Sequence, residues 1–127
     1  MSETLSVLIV DDNPPMVKTL ADILETKGFE VHSAYSGAEA LEILRDHPVD
    51  ILLTDVKMPD MNVVALYREA RKTHLRLITF LMTAYAADEI IQQGLVEGIR
   101  TVLIKPLDID FLLSLLSATK RIIAEAD

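Results

Sequence analysis

The chain has 127 residues, half of them hydrophobic and a quarter charged, which is the size and composition of one ordinary globular domain. It contains no cysteine, which excludes a disulfide framework and thiolate metal sites and favours a cytoplasmic setting. A net charge of −8 argues against direct nucleic-acid binding, and neither a membrane-spanning apolar run nor a signal-like N-terminus is present.

In chain order, Leu5–Val10 is short and almost wholly apolar, the pattern of a strand covered on both faces. A helix is expected over Met16–Thr26, where Met16, Leu20, Ile23 and Leu24 recur at helical spacing. Prolines stand at its first turn, and Gly28 follows as the stop. Phe29–Tyr35 alternates, as an outer strand does. Ser36-Gly37-Ala38-Glu39 is a capping box that opens a second helix running to about His47, and Pro48 ends it. Ile51–Thr54 reads as the third strand, Val63–Thr73 as the third helix and Arg76–Met82 as the fourth strand. Asp88–Glu97 is a short helix interrupted by Gly94, Thr101–Ile104 the fifth strand, and Asp108 to about Ala124 the last helix. Strand and helix alternate five times without repeat or linker. That predicts an α/β single domain over 1–127 with a parallel sheet and helices on both faces.

The informative residues sit where strands end. Strand one runs into Asp11 and Asp12, strand three into Asp55, strand four into Thr83 and strand five into Lys105. In an open parallel sheet these ends share one edge, where ligands bind. Taken singly, each Asp is most simply a helix cap or turn former, Thr83 an ordinary strand residue and Lys105 a solvated lysine. Their coincidence on four strand ends is what those simple roles do not explain. Three carboxylates and one ammonium leave an excess of negative charge that a cation would relieve. An all-oxygen set without Cys or His suits Mg2+ before Ca2+ or Zn2+. A lysine and a hydroxyl beside it suit phosphoryl oxygens, with a carboxylate available as covalent nucleophile. His32, His47 and His74 lie away from this edge and read as surface histidines. Met16, Met58, Met61 and Met82 read as packing residues.

Over almost its whole length the chain resembles the receiver domain of two-component response regulators. The pieces that carry the resemblance are LIVDDN (8–13), LLTDVKMPDM (52–61), MTAY (82–85) and LIKPL (103–107), all in order. The resemblance implies a flavodoxin-like, doubly wound five-stranded parallel sheet of order 2-1-3-4-5. It implies that Asp55 is the phosphoacceptor, taking a phosphoryl group from a phosphohistidine on a sensor histidine kinase or phosphotransfer protein. Asp12, Asp55 and the backbone carbonyl of Lys57 would ligate Mg2+, and Asp11 would act through a metal-bound water. Thr83 and Lys105 would bind phosphoryl oxygens, and the Lys105–Pro106 bond would be cis. Such a module is a phosphorelay switch rather than a metabolic enzyme.

Two positions depart from the family pattern. Val63 stands where a glycine usually follows the proline, so the loop 60–64 is expected to take another path. Val102 stands where the fifth strand usually carries Tyr or Phe, leaving no ring to swing as Thr83 moves; Tyr85 is the nearest substitute. These departures keep a second reading in play, a degenerate receiver used as a protein-binding scaffold. A third, an Asp-nucleophile phosphatase of the haloacid dehalogenase type, needs an acid two places after the nucleophile, where this chain has Lys57. The last helix carries two apolar stripes, Ile109, Leu112, Leu116 and Ile123 beside Phe111, Leu115 and Ile122. One sheet face needs only one, so the surplus predicts a homodimer or partner face that includes 108–124. Two readings of the chain stay open, a stand-alone regulator and the N-terminal piece of a longer protein with a DNA-binding, enzymatic or ATPase output domain.

Overall fold

The structure, a computed structural model, describes residues 4–85 and 89–126. Five strands alternate with five helices: β1 (Ser6–Val10), α1 (Pro14–Thr26), β2 (Glu30–Ala34), α2 (Gly37–Asp46), β3 (Ile51–Asp55), α3 (Val63–Thr73), β4 (Ile78–Thr83), α4 (Glu89–Glu97), β5 (Thr101–Ile104) and α5 (Ile109–Ala126). All strand pairs are parallel and the sheet order is β2-β1-β3-β4-β5, the flavodoxin-like order. The order reverses beside β1, so β1 and β3 lie next to each other with their carboxyl ends together.

The period of two along each strand divides the core. Val7 and Ile9 of β1, Ile51 and Leu53 of β3, and Phe80 and Met82 of β4 face α1 and α5, where Val17, Leu20, Leu24, Leu112 and Leu116 meet them. Leu8, Val10, Leu52 and Ala34 point the other way, onto Ala40 and Leu44 of α2 and Leu66 and Ala70 of α3. A third group, with Leu81, Val63, Val64, Tyr67 and Ile91, joins α3 to α4. Each fully buried Leu or Ile contributes about 1.5–3 kcal/mol relative to an exposed one, so the central strands are rigid supports for whatever stands at their tips.

Boundaries differ from expectation by one or two residues, for local reasons. The two prolines belong to α1 as its first helical residues, with Asn13 as the cap through a bond from the Met16 N–H. Gly28 adopts φ 95° just past the Lys27 cap, the left-handed position that glycine tolerates. Asp108 caps α5 by accepting the Phe111 N–H at 3.1 Å, so the helix begins one place later than expected. Thr83 is the last residue of β4, within the strand itself. Asp88 lies outside the described residues. Val63 opens α3 as a fully buried helical residue behind the Asn62 cap, and among the described residues no non-glycine has positive φ. The missing glycine therefore leaves no strained backbone in this loop.

Candidate functional site

The carboxyl edge brings the polar strand ends together. Asp11 follows β1, is 1% exposed, and lies under Lys105, whose Nζ is 2.6 Å from its Oδ2. The same ammonium is 3.6 Å from Asp55 Oδ2, so one lysine bridges two carboxylates that belong to adjacent strands. The Asn13 N–H donates to Asp11 Oδ1 at 3.1 Å, and the Val56 N–H donates to Asp55 Oδ1 at 2.8 Å. Each carboxylate is thus fixed by the backbone on one oxygen while the other faces the shared ammonium. Asp12 is exposed beside them, and an oxygen from each of Asp11, Asp12 and Asp55 lies within 4.8 Å of the others. The Lys105–Pro106 bond is cis.

Burial, and then the negative charge of Asp11, hold the Asp55 carboxyl above its ordinary value of 3.8. Lys105 and the N–H groups of Val56 and Lys57 pull the other way without cancelling these. The pocket therefore carries more negative charge than its lysine neutralises. Three oxygen donors of one sign around a gap of this size fit a hard divalent ion, and the set contains neither imidazole nor thiolate.

Thr83 is buried and paired with its own turn. Its Oγ1 accepts the Tyr85 N–H at 2.9 Å and donates to the Tyr85 carbonyl at 3.2 Å. It sits one place beyond Met82, the register partner of Asp55, so it flanks the site from β4. Tyr85 is 72% exposed, with Lys57 Nζ 5.9 Å from its ring centre, so it is no buried replacement for the absent aromatic. Val102 packs instead against the aliphatic group of Val56, Val63, Leu81 and Ile91. The histidines gather at the opposite end of the sheet. The His32 ring stacks on His47 at 4.6 Å, and a His74 ring nitrogen meets the His47 carbonyl at 3.1 Å. His32 is only 19% exposed, so it is not the surface residue expected. Two residues near the site escaped sequence reasoning, Asn13 and Asp60. The first had a signal, an Asx after the acidic pair before a proline-opened helix; the second had none.

The doubly wound parallel sheet thus carries an acidic pocket at its switch point, with a partly buried lysine across it and a hydroxyl beside it. Residues 7–117 match the response regulator receiver domain family, and the chain belongs to that family. It is 40% identical over 108 residues to a response regulator receiver protein of Anaeromyxobacter sp. (strain Fw109-5), covering 85% of this chain and 45% of that protein. It is 37% identical over 104 residues to the regulatory protein AtoC of Escherichia coli (strain K12), covering 82% of this chain and 23% of AtoC. The chain thus spans less than half the length of these relatives. Among solved structures, a CheY-like receiver domain protein of Methanospirillum hungatei JF-1 superposes with a TM-score of 0.92 at 27% identity, covering 98% of this chain and 99% of that one.

Proposed function

We propose that this chain is a single receiver domain that accepts a phosphoryl group on Asp55 in a Mg2+-dependent reaction and signals by changing its association with partners. The observation that carries the reading is the triangle of Asp11, Asp55 and Lys105, with its uncompensated negative charge. Asp12, Asp55 and the Lys57 carbonyl would hold Mg2+, with Asp11 acting through a bound water. The ion supplies neutralisation of the phosphoryl oxygens and of the crowded carboxylates. The ionised Asp55 carboxylate attacks phosphorus in line, an O–P bond forms, and the departing imidazole nitrogen of the phosphohistidine keeps the electron pair. The backbone bond from Val56 holds the nucleophile in one orientation, which lowers the entropic cost of that attack. Lys105 Nζ sits within reach of Asp55 Oδ2 and stabilises the charge that develops there. Thr83 turns its hydroxyl proton from the Tyr85 carbonyl to a phosphoryl oxygen.

The donor is a sensor histidine kinase or a phosphotransfer protein. An apolar groove of about 460 Å³ opens beside Lys105, lined by Pro15, Met16, Ile23, Pro106 and Leu107, and gives such a partner a surface next to the chemistry. The outer stripe of α5, Phe111, Leu115, Ala118 and Ile122, is spaced four, three and four, as an interhelical seam is. It lies beside the half-exposed Ile104 of edge strand β5 and is read as the self-association face. The reading is tested by titrating beryllofluoride, a phosphoryl mimic, with and without Mg2+ and following backbone resonances. Shifts at Asp55, Lys57, Thr83 and Lys105 that need Mg2+ are expected. Their absence would favour a scaffold that uses the fold without the chemistry.

A further inference from the structure

The loop between β3 and α3 leaves the phosphoacceptor strand and carries Lys57. Its middle is fastened to a different part of the molecule. Asp60 Oδ1 accepts the Gly37 N–H and Oδ2 accepts the Ala38 N–H, each at 2.9 Å. These are the opening amides of α2, donors that a helix leaves without internal partners. Ser36 Oγ takes a further one, the Glu39 N–H at 3.2 Å, while the Glu39 carboxylate reaches back to the Tyr35 N–H at 2.6 Å. The capping box therefore covers only part of the first turn, and Asp60, 22 and 23 positions away, covers the rest.

The next residue reinforces the contact. Met61 lies directly on Gly37, where an added Cβ would stand 2.5 Å from Met61 Cγ and 2.6 Å from its sulfur. Gly37 has no left-handed φ, so what an added methyl would meet is the Met61 side chain and not a forbidden backbone angle. The loop is closed at its base by a bridge between Lys57 and Asn62, and Asn62 caps α3 through the Ala65 N–H at 2.9 Å. The two α2 amides hold the Asp60 carboxyl below its ordinary value, so it remains ionised and clasped across the neutral range.

We propose that Asp60 is a positioning residue: by tying the β3–α3 loop to the first turn of α2, it sets where the Lys57 carbonyl stands beside Asp11, Asp12 and Asp55, and so sets the affinity of the pocket for a divalent cation. This rests on the reading of the pocket as a Mg2+ site. Mg2+ demands near-octahedral ligands at about 2.0–2.1 Å, so a displacement of the loop by a few tenths of an ångström removes a ligand. The same tie makes the start of α2 respond to events at Asp55, a route that does not pass through an aromatic on β5.

The test is a Mg2+ titration of wild type, Asp60→Asn and Gly37→Ala, followed by amide resonances. Asp60→Asn removes the charge and one of the two bonds. Gly37→Ala leaves the charge intact and drives a methyl group into Met61. Both variants are expected to bind Mg2+ roughly tenfold more weakly, the low end of what residues behind metal ligands contribute. The Gly37 and Ala38 resonances should move with Mg2+ in wild type and cease to do so in Asp60→Asn, an effect that loss of stability alone does not produce. Wild-type affinity in both variants would overturn the proposal. So would weakening in Asp60→Asn with the Gly37 and Ala38 resonances still moving with Mg2+, which would mark a charge effect only. If Asp60→Asn does not fold, Gly37→Ala and the wild-type amide response decide. A wild type that binds no Mg2+ removes the metal reading itself, a result separate from equal binding in all three proteins.

Discussion

Asp55 stands in a place that disfavours its own charge, and the consequence can be measured. Its carboxyl is raised by burial and by Asp11, so the folded state holds its proton more tightly than the unfolded chain does. Stability from this group is therefore lost as pH rises above the ordinary 3.8 toward the raised value, and it stays lost at neutral pH. Asp55→Asn should raise the Tm at neutral pH in metal-free buffer by a few degrees, with the gain vanishing below the ordinary carboxylate range; thermal melts across pH check this. Lys105 has the opposite role. Lys105→Met leaves the buried Asp11 carboxylate without its counter-charge and should cost about 2 kcal/mol, less than a fully buried pair because the lysine is 25% exposed. Urea unfolding measures this, and Mg2+ should recover more stability in the variant than in wild type.

At the scale of elements, the helices are held to one another by contacts that sequence periodicity cannot show. Arg68 on α3 pairs with Glu97 at the end of α4, and the Tyr67 hydroxyl donates to the Glu97 carbonyl at 3.4 Å. Arg71 donates to that hydroxyl at 2.6 Å, and Gly98, at φ 121°, leaves room for it. A Cβ at Gly98 would stand 2.6 Å from the Tyr67 oxygen in a backbone region that side chains avoid. Gly98→Ala should destabilise the protein by about 2 kcal/mol and loosen α4, seen as faster amide exchange in α4. On α5 the outer stripe makes a separate prediction. Phe111 is 54% exposed, so Phe111→Ser should leave the melting temperature nearly unchanged while shifting the association equilibrium toward monomer in analytical ultracentrifugation. An unchanged equilibrium, or a wild type that stays monomeric with and without beryllofluoride, would remove the α5 face from the account.

For the molecule as a whole, the apolar runs and the residues that follow them carry most of the fold. Val7 to Val10, Ile51 to Leu53 and Leu81 to Met82 are buried on both faces, and such runs announce parallel strands without reference to contacts. The site was legible for the same reason: chain direction in a parallel sheet puts Asp11, Asp55, Thr83 and Lys105 at one edge whatever the loops do. What was not legible depends on distances between loops. Nothing in the residues near Asp60 names Gly37 as its partner, and nothing in the separate positions of His32, His47 and His74 foretells their meeting. Val63 raised an expectation of an altered loop path that the buried start of α3 accommodates without strain. Val102 does change the molecule, filling with aliphatic packing a position where the family pattern has a ring. The most direct test of a phosphoryl-accepting Asp55 is the intact mass after incubation with Mg2+ and a small phosphodonor. The prediction is a single phosphoryl adduct that needs Mg2+, is released by hydroxylamine as an acyl phosphate is, and is absent in Asp55→Asn; no adduct on the wild type, or one that persists in Asp55→Asn, would contradict it.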